Sequence, residues 1–575
     1  MEWIYLPEPP TEKVSALSRQ LGIGSTLSKL LVQRGIDSYE KARDFFRPRL
    51  DQLHDPFLMK GMTPAVDRIL QAIDRKENIL VYGDYDVDGT TAVSLVYSFL
   101  RSFYDRVGTY IPDRYTEGYG ISYTGIDFAK DNDVNLIIAL DCGIKAVEKV
   151  KYARERDIDF IICDHHRPGK VLPEAIAVLD PKREDCDYPY KELCGCGIGF
   201  KLIQALSLHR DIDETEIHSY LDLVATAIAA DIVPITGENR ILAHFGLKVI
   251  NENPRPGIRA LISNLRKKSL DITDVVFIIA PRINAAGRME HGQVAVDLLT
   301  ERNPERAGEL AAEIDHYNTE RKELDRSISE EALEQIAKNL ETEDYTTVVY
   351  EERWHKGVIG IVASRLIERF YRPTLVFTRS GSKLAGSARS VKGFDVYNAL
   401  QECQDLIDQF GGHKYAAGLT LEPENYPLFK KRFEEVVKRS ITKEAMTPRI
   451  KVDCAIELSE LTPKFYRVLK QFGPFGPGNM KPVFMASGLR DNGYGKPVGQ
   501  NGDHLKMSLI SGKDFSTMDA IGFNLGDKYP LIKSGSPFRA VFTLESNEWN
   551  GQSRLQLNVK DLKPDDLNSE DASDR

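Results

Sequence analysis

Between Asn78 and Leu206 short apolar runs alternate with segments of helical spacing. The runs ILVYG, GTYIP, LIIAL, DFIIC and AIAVL have the length of strands, and segments between them, such as KAVEKVKYARER, carry helix periodicity. That alternation predicts βαβ units and a mostly parallel sheet. Residues 215–250 read as helices, with LDLVATAIAA apolar nearly all round and therefore buried. From Asn303 to Leu340 the chain is highly charged and reads as one long connecting helix with a solvated face. A second α/β pattern starts at TTVVYEERWH, continues through helix VIGIVASRLIERF, strand PTLVF and a helix after Gly393, and closes on the turn-rich GGHKYAAG. Beyond Thr447-Pro448 the segments HLKMSLI, FRAVFTLE and RLQLNVKDL alternate apolar and polar positions, which predicts a small antiparallel barrel or sandwich. The acidic end of the chain reads as disordered. These textures divide the chain into a helical segment 1–60, an α/β domain 61–300, a connecting helix 301–342, a second α/β domain 343–447, an antiparallel domain 448–562 and a tail 563–575.

Composition narrows the class. A chain of 575 residues holds about three or four domains, and 42% hydrophobic residues suffice for sizeable cores. A net charge of −10 excludes a uniformly basic nucleic-acid binder but says nothing against a local groove. Seven scattered cysteines, an odd number, fit a reducing interior and not a disulfide framework. The start, MEWIYLPEPPTEK, lacks the basic and apolar regions of a signal peptide, and no apolar run approaches the roughly 20 residues of a membrane span. The expectation is a soluble, cytoplasmic protein with no membrane partner.

Three of the apolar runs end in aspartate: NILVYG-Asp84, NLIIAL-Asp141 and DFIIC-Asp164. Ligands of open α/β sheets bind outside the carboxyl ends of the strands, and carboxylates clustered there with imidazoles suit divalent cations. Asp84, Asp86 and Asp88 alternate before Gly89 opens a helix, so several carboxylates point one way at a helix end that favours anions. One D-x-D alone reads equally well as turn and N-cap residues. Acids at three strand ends repel, and cations relieve that repulsion. His165 and His166 follow Asp164; successive extended residues point opposite ways, so one ligates while the other faces a substrate. Asp231 ends the buried helix and needs a partner there, either a metal or nearby donors.

Basic candidates lie further along. Arg365 to Lys392 holds seven Lys/Arg and one acid, Glu368. Its GSARS turn offers Ser387 and Arg389 to a phosphate, and a solvated helix face is the plainer reading of the same stretch. Arg114, Arg282, Arg288 and the Gly411-Gly412-His413 turn are further phosphate or strand candidates, although Arg288 equally reads as an ion-pair partner and glycines also serve tight turns. Phe538, Phe542 and Trp549 sit on alternating strands and read as core sooner than as stacking platforms.

DYDVDG, DCG, DHH and ADIVP, in that order, resemble the motifs of the DHH phosphoesterase superfamily. PDRYTEGYG, PRINAAGRM, WHKGVIGIVASRL, GSARS and GGHKYAAG resemble, within it, the RecJ family of bacterial single-strand exonucleases over nearly the whole chain. The resemblance implies a parallel-sheet DHH domain, a DHH-associated domain and a C-terminal OB-like barrel. It implies 5′-to-3′ hydrolysis of single-stranded DNA to 5′-mononucleotides in recombination and repair, with two divalent cations, Mn²⁺ or Mg²⁺. By the same resemblance Asp86, Asp88, Asp141, His165 and Asp231 are ligands, Asp141 bridges the metals, Asp84 is a ligand or supports one, and His166 contacts the scissile phosphate. Arg288 takes its substrate role from it too. It further implies a monomer that works with a single-strand-binding protein and a RecQ-type helicase. Two departures stand out: Asp141-Cys142-Gly143 replaces the usual Asp-Asn-Gly, with oxidation sensitivity as its expected consequence, and LCGCGIGF carries Cys194 and Cys196, read as small buried residues. The rival readings are a nanoRNase or cyclic-dinucleotide phosphodiesterase, which resemble shorter chains without the barrel, and a non-catalytic scaffold, which loses metal ligands.

Overall fold

The computed structural model describes residues 1–338, 345–549 and 552–565. The side chain of Trp549, the end of the connecting segment and the tail from 566 onward lie outside the described residues. Two compact units emerge, one of residues 50–447 and one that joins 1–49 to 448–575.

In the larger unit the expected apolar runs form five parallel strands, in spatial order Val107–Tyr110, Asn78–Gly83, Val134–Leu140, Asp159–Cys163 and Ala177–Leu179. Ile, Leu and Val bury both faces, as an all-parallel sheet requires. The register aligns Gly83, Leu140, Cys163 and Leu179 across four neighbouring strands, so the next residues, Asp84, Asp141, Asp164 and Asp180, follow at one sheet edge. Helices Val87–Arg101, Gly195–His209 and Leu221–Ala230 pack together in the core. Helix Pro304–Lys338 is the long connecting helix.

A second sheet follows, in order Gln409–His413, Ala416–Leu421, Lys383–Arg389, Thr374–Ser380 and Thr347–Tyr350. Only the last pair is parallel. Here the structure corrects two expected turns, since GSARS lies in a strand and Gly411-Gly412-His413 lies in another. Gly386 and Gly412 serve close approach instead. A Cβ on Gly386 would stand 2.4 Å from the Phe377 ring, and one on Gly412, at φ 144°, 2.4 Å from the Ala416 carbonyl oxygen.

The smaller unit gathers both ends of the chain. Strand Glu2–Tyr5 pairs in parallel with Arg449–Val452, and Leu17, Leu30 and Leu31 of the N-terminal helices share a core with Phe472 and Phe484. Residues 1–49 therefore belong with the C-terminal barrel, whereas the sequence reading set residues 1–60 apart. Strands Phe484–Asp491, His504–Ser511, Thr517–Gly522, Gln552–Pro564 and Phe538–Trp549 pair in a closed ring, with one parallel contact between Thr517–Gly522 and Gln552–Pro564. Closure removes exposed edges. Phe538 and Phe542 are fully buried, which makes them core. Among the described residues no helix is long and apolar enough to cross a membrane. Truncating Phe542 to Ala is expected to cost the barrel about 3–5 kcal/mol; chemical denaturation of the Phe542→Ala variant, followed by a probe in this unit, measures it, and a loss near zero would contradict the packing.

Candidate metal centre and arginine pocket

The three alternating acids after Gly83 do different jobs. Asp86 caps helix Val87–Arg101 by accepting from the Gly89 amide at 3.0 Å. Asp88, inside the first turn, accepts from the Gly195 and Cys196 amides at 2.7 Å each, at the N-terminus of the Gly195–His209 helix. Asp84 is fully buried and accepts from the Gly120 amide at 3.1 Å. Asp141 adopts a left-handed φ of 57°, and its Oδ1 lies 3.2 Å from His165 Nε2. Asp231 Oδ2 and Asp88 Oδ2 approach the same nitrogen at 3.6 and 3.8 Å. Gly195 is obligatory: a Cβ there would fall 2.5 Å from Asp141 Cβ.

Potential ligand atoms converge in two groups, Asp141 with His165 and His166, and Asp88 with His165 and Asp231, each within 4.8 Å. Neither group includes Asp84 or Asp86. Asp164 turns inward instead. It accepts from the amides of Ile144, His165 and His166 and from His166 Nδ1 at 2.7 Å, and so orients that ring. The sequence reading missed Asp180, although AVL-Asp180 repeats the pattern of an apolar run ending in Asp; it is buried and one of its oxygens has no hydrogen-bond partner.

Burial, then neighbouring acids, pushes the Asp84 carboxyl up to about 8 and Asp88 to about 7, and likewise Asp231 to about 8, with Asp141 well above its ordinary range. Burial first, then His166, pulls His165 down to about 3, which leaves a neutral imidazole with a free lone pair. Burial opposes ionisation of Asp164, but the His166 ring and backbone amides outweigh it and hold that carboxylate at about 2. Asp141 Oδ1 and Asp231 Oδ2 are buried without hydrogen-bond partners. Partnerless carboxylate oxygens around a neutral imidazole form a donor set that fits a divalent cation. Cys142 is buried and its thiol is pushed well above its usual value by burial and the surrounding acids, so the expected oxidation sensitivity lacks a thiolate. Cys194 and Cys196 are fully buried, and Cys194 caps the Gly195–His209 helix.

A second cluster is basic. Arg114, Arg288, Ser387, Arg389 and Gly411 line a cavity of about 440 Å³ together with Tyr85. Arg114 stacks on Tyr85, 4.1 Å from the ring centroid. Arg288 donates to the Gly357 carbonyl at 2.9 Å, and Arg389 to Ser387 Oγ at 3.2 Å. Ser387 and Arg389 share one face of their strand, which a turn would not guarantee. Burial, then Arg114 and Arg389, lowers Arg288 to about 9. Among the described residues no carboxylate lies within ion-pair reach of these three arginines. Arg282 is different: it pairs with Asp315 at 2.6 Å and does not line the cavity. Arg365, Arg379 and Lys383 are likewise taken by Asp325, Glu352 and Asp408. His413 lies outside both ligand groups, with its ring parallel to that of His166 at 6.4 Å and 11°.

Raised carboxyl values mean that the fold holds protons which the unfolded chain, titrating near about 4, releases. Stability of the cation-free protein should therefore fall as pH rises from 6 to 9, and Mn²⁺ should restore more of it at the upper end. Thermal melts with chelator and with Mn²⁺ at both pH values check this; a chelated protein that grows more stable across that range would contradict it.

The chain matches the DHH family N-terminal domain over residues 78–228, the DHHA1 domain over 343–439 and the RecJ OB domain over 452–561. It is 39% identical to the single-stranded-DNA-specific exonuclease RecJ of Bacillus subtilis, across 98% of this chain and 70% of that protein. The crystal structure of RecJ in complex with Mn²⁺ from Thermus thermophilus superposes with a TM-score of 0.83 at 27% identity, covering 98% of this chain and 79% of the other. The Mg²⁺ complex of the same protein gives 0.79 at 26% identity, with 98% and 78% covered. With buried acids gathered on one imidazole beside a pocket of unpaired arginines, and with these likenesses spanning all three domains, the chain belongs to the RecJ family of DHH exonucleases.

Proposed function

We propose that this protein removes nucleotides from the 5′ end of single-stranded DNA, releasing 5′-mononucleotides for recombination and repair, with two divalent cations, Mn²⁺ or Mg²⁺. The observation that carries the reading is the juxtaposition of two unbalanced clusters. Carboxylates converge on His165, and arginines without an ion-pair partner among the described residues line a cavity that begins at Tyr85, the residue after Asp84. Cations answer the first cluster and a terminal phosphate answers the second.

In this reading Asp86, Asp88, Asp141, His165 and Asp231 would hold the cations. Asp86 adds its charge to the group through its field on Asp88 and Asp141. When bound, the cations supply Lewis-acid activation of water and of the scissile phosphate. The chain's residues do the rest. The amides of Gly195 and Cys196 fix Asp88, and Asp164 orients His166 so that the imidazole meets the scissile phosphate. Arg114, Arg288, Ser387 and Arg389 take the 5′-phosphate, with Gly411 lining the same wall. Arg282 drops out of this assignment because Asp315 occupies it. His413 packs on His166 and belongs to the catalytic side. The retained acids and His165 argue against a non-catalytic scaffold, and the barrel argues against a dinucleotide phosphodiesterase. All seven cysteines are unpaired and buried, which supports a cytoplasmic setting. A single-strand-binding protein, a RecQ-type helicase and a monomeric state follow from the family resemblance alone.

Digestion of end-labelled single strands of both polarities tests the whole reading. Activity should require Mn²⁺ or Mg²⁺, vanish with chelator and start from the 5′ end. Asp141→Ala should abolish turnover while the far-ultraviolet spectrum stays that of the parent; robust hydrolysis by that variant would remove the two-cation assignment. Arg389→Ala should weaken the preference for 5′-phosphorylated over 5′-hydroxyl ends by about 10–100-fold, the worth of one charged hydrogen bond. An unchanged preference would move the end-binding site elsewhere.

A further inference from the structure

The loop before Ser122 is clamped harder than a surface connection needs. Glu117 accepts from the Tyr110 hydroxyl at 2.9 Å and from the Asp113 amide at 2.8 Å. Asp84 holds the Gly120 amide at 3.1 Å, and the Tyr82 hydroxyl donates to the Gly120 carbonyl at 3.0 Å. Between these anchors stands Tyr119, flanked by Gly118 and Gly120 at φ 83° and 76°, a left-handed pair that other residues adopt with strain. The sheet edge thus spends a buried carboxylate, Asp84, on displaying one tyrosine that is itself 52% exposed.

That tyrosine meets His166. Its hydroxyl lies 3.1 Å from Nε2, and the rings sit edge to face at 6.0 Å and 81°. The other nitrogen, Nδ1, lies 2.7 Å from Asp164. His165 and His413 flank the same ring, at 4.6 and 6.4 Å. An ionised carboxylate only accepts, so Nδ1 carries a hydrogen. In the neutral ring Nε2 then accepts from the phenol; in the imidazolium it donates to the phenol oxygen. The contact survives either state, so it constrains orientation independently of charge.

We propose that Tyr119 is a positioning residue for the cleavage reaction: its phenol holds His166 at Nε2 while Asp164 holds it at Nδ1, which fixes the plane of the imidazole so that the scissile phosphate meets the ring at Nε2, beside the phenol. A ring held at one nitrogen keeps a hinge, and one held at both does not. Small misplacements of a reacting group cost up to about 100-fold in rate. The kinetic consequence rests on the exonuclease reading above; the geometric one does not.

The test uses the full-length protein and Tyr119→Phe, which removes one exposed hydroxyl and keeps the ring. In the metal-free state, ¹⁵N resonances of labelled imidazoles should show the His166 Nε2 signal moved in the variant, with other histidines unchanged and the melting temperature that of the parent. With Mn²⁺ and single-stranded DNA, Tyr119→Phe should lower kcat about 10–100-fold with KM within about twofold. In a His166→Ala background the same change should cost nothing further. An unmoved His166 resonance, an unchanged kcat, or a loss that adds in full to that of His166→Ala would each overturn the proposal. A parent enzyme that leaves single strands intact would instead sink the exonuclease reading, with the resonance result still standing.

Discussion

Removing several carboxylates from water at one place is the constraint that the larger unit is built around. Asp84, Asp88 and Asp141 are almost fully buried, and after burial it is Asp86 that disfavours ionisation of Asp84 and Asp88, and Asp88 and then Asp86 that of Asp141. An apolar sheet interior cannot stabilise such a group by itself. The protein meets part of the cost with backbone amides: the Gly195–His209 helix turns its N-terminus on Asp88, and the Gly120 amide meets Asp84. What remains unmet, Asp141 Oδ1 and Asp231 Oδ2 together with Asp84 Oδ2, is what makes the site an acceptor of positive charge.

The arginine pocket presents the same imbalance with the sign reversed. Several basic residues of the second α/β region are neutralised by acids, as with Arg365 on Asp325 and Lys383 on Asp408. Arg114, Arg288 and Arg389 are held by stacking, a carbonyl and a hydroxyl, contacts that orient a guanidinium without cancelling its charge. Ordered but uncompensated charge is preorganisation: the fold has already met the orientation cost that a phosphate would otherwise impose.

Much of this was legible in the chain. Four of the five strands of the parallel sheet are apolar runs followed at once by an acid, and because register aligns their ends, those acids predict one cluster. Asp180, after the AIAVL run, obeyed the same rule and was overlooked. Illegible features were those decided by tertiary pairing. Nothing local tells Arg282, bound to Asp315 across 33 positions, from Arg288, left without an acid. Glycines misled in GSARS and GGHKYAAG, because a strand that must lie against the Phe377 ring, or bring its backbone close to Ala416, uses the residue that also marks turns. The N-terminal segment looked independent because its sheet partner lies at Arg449–Val452.

That last pairing orders events during synthesis. A ribosome exports Glu2–Tyr5 well before Arg449–Val452, and the strand has no template until that partner has emerged, nor the neighbouring helices a core until Phe472 and Phe484 follow. Residues 50–447 contain their own core and are complete before that moment. Domains form as units while translation proceeds, so residues 1–49 stay without their sheet partner throughout production of residues 50–447 and settle only after them.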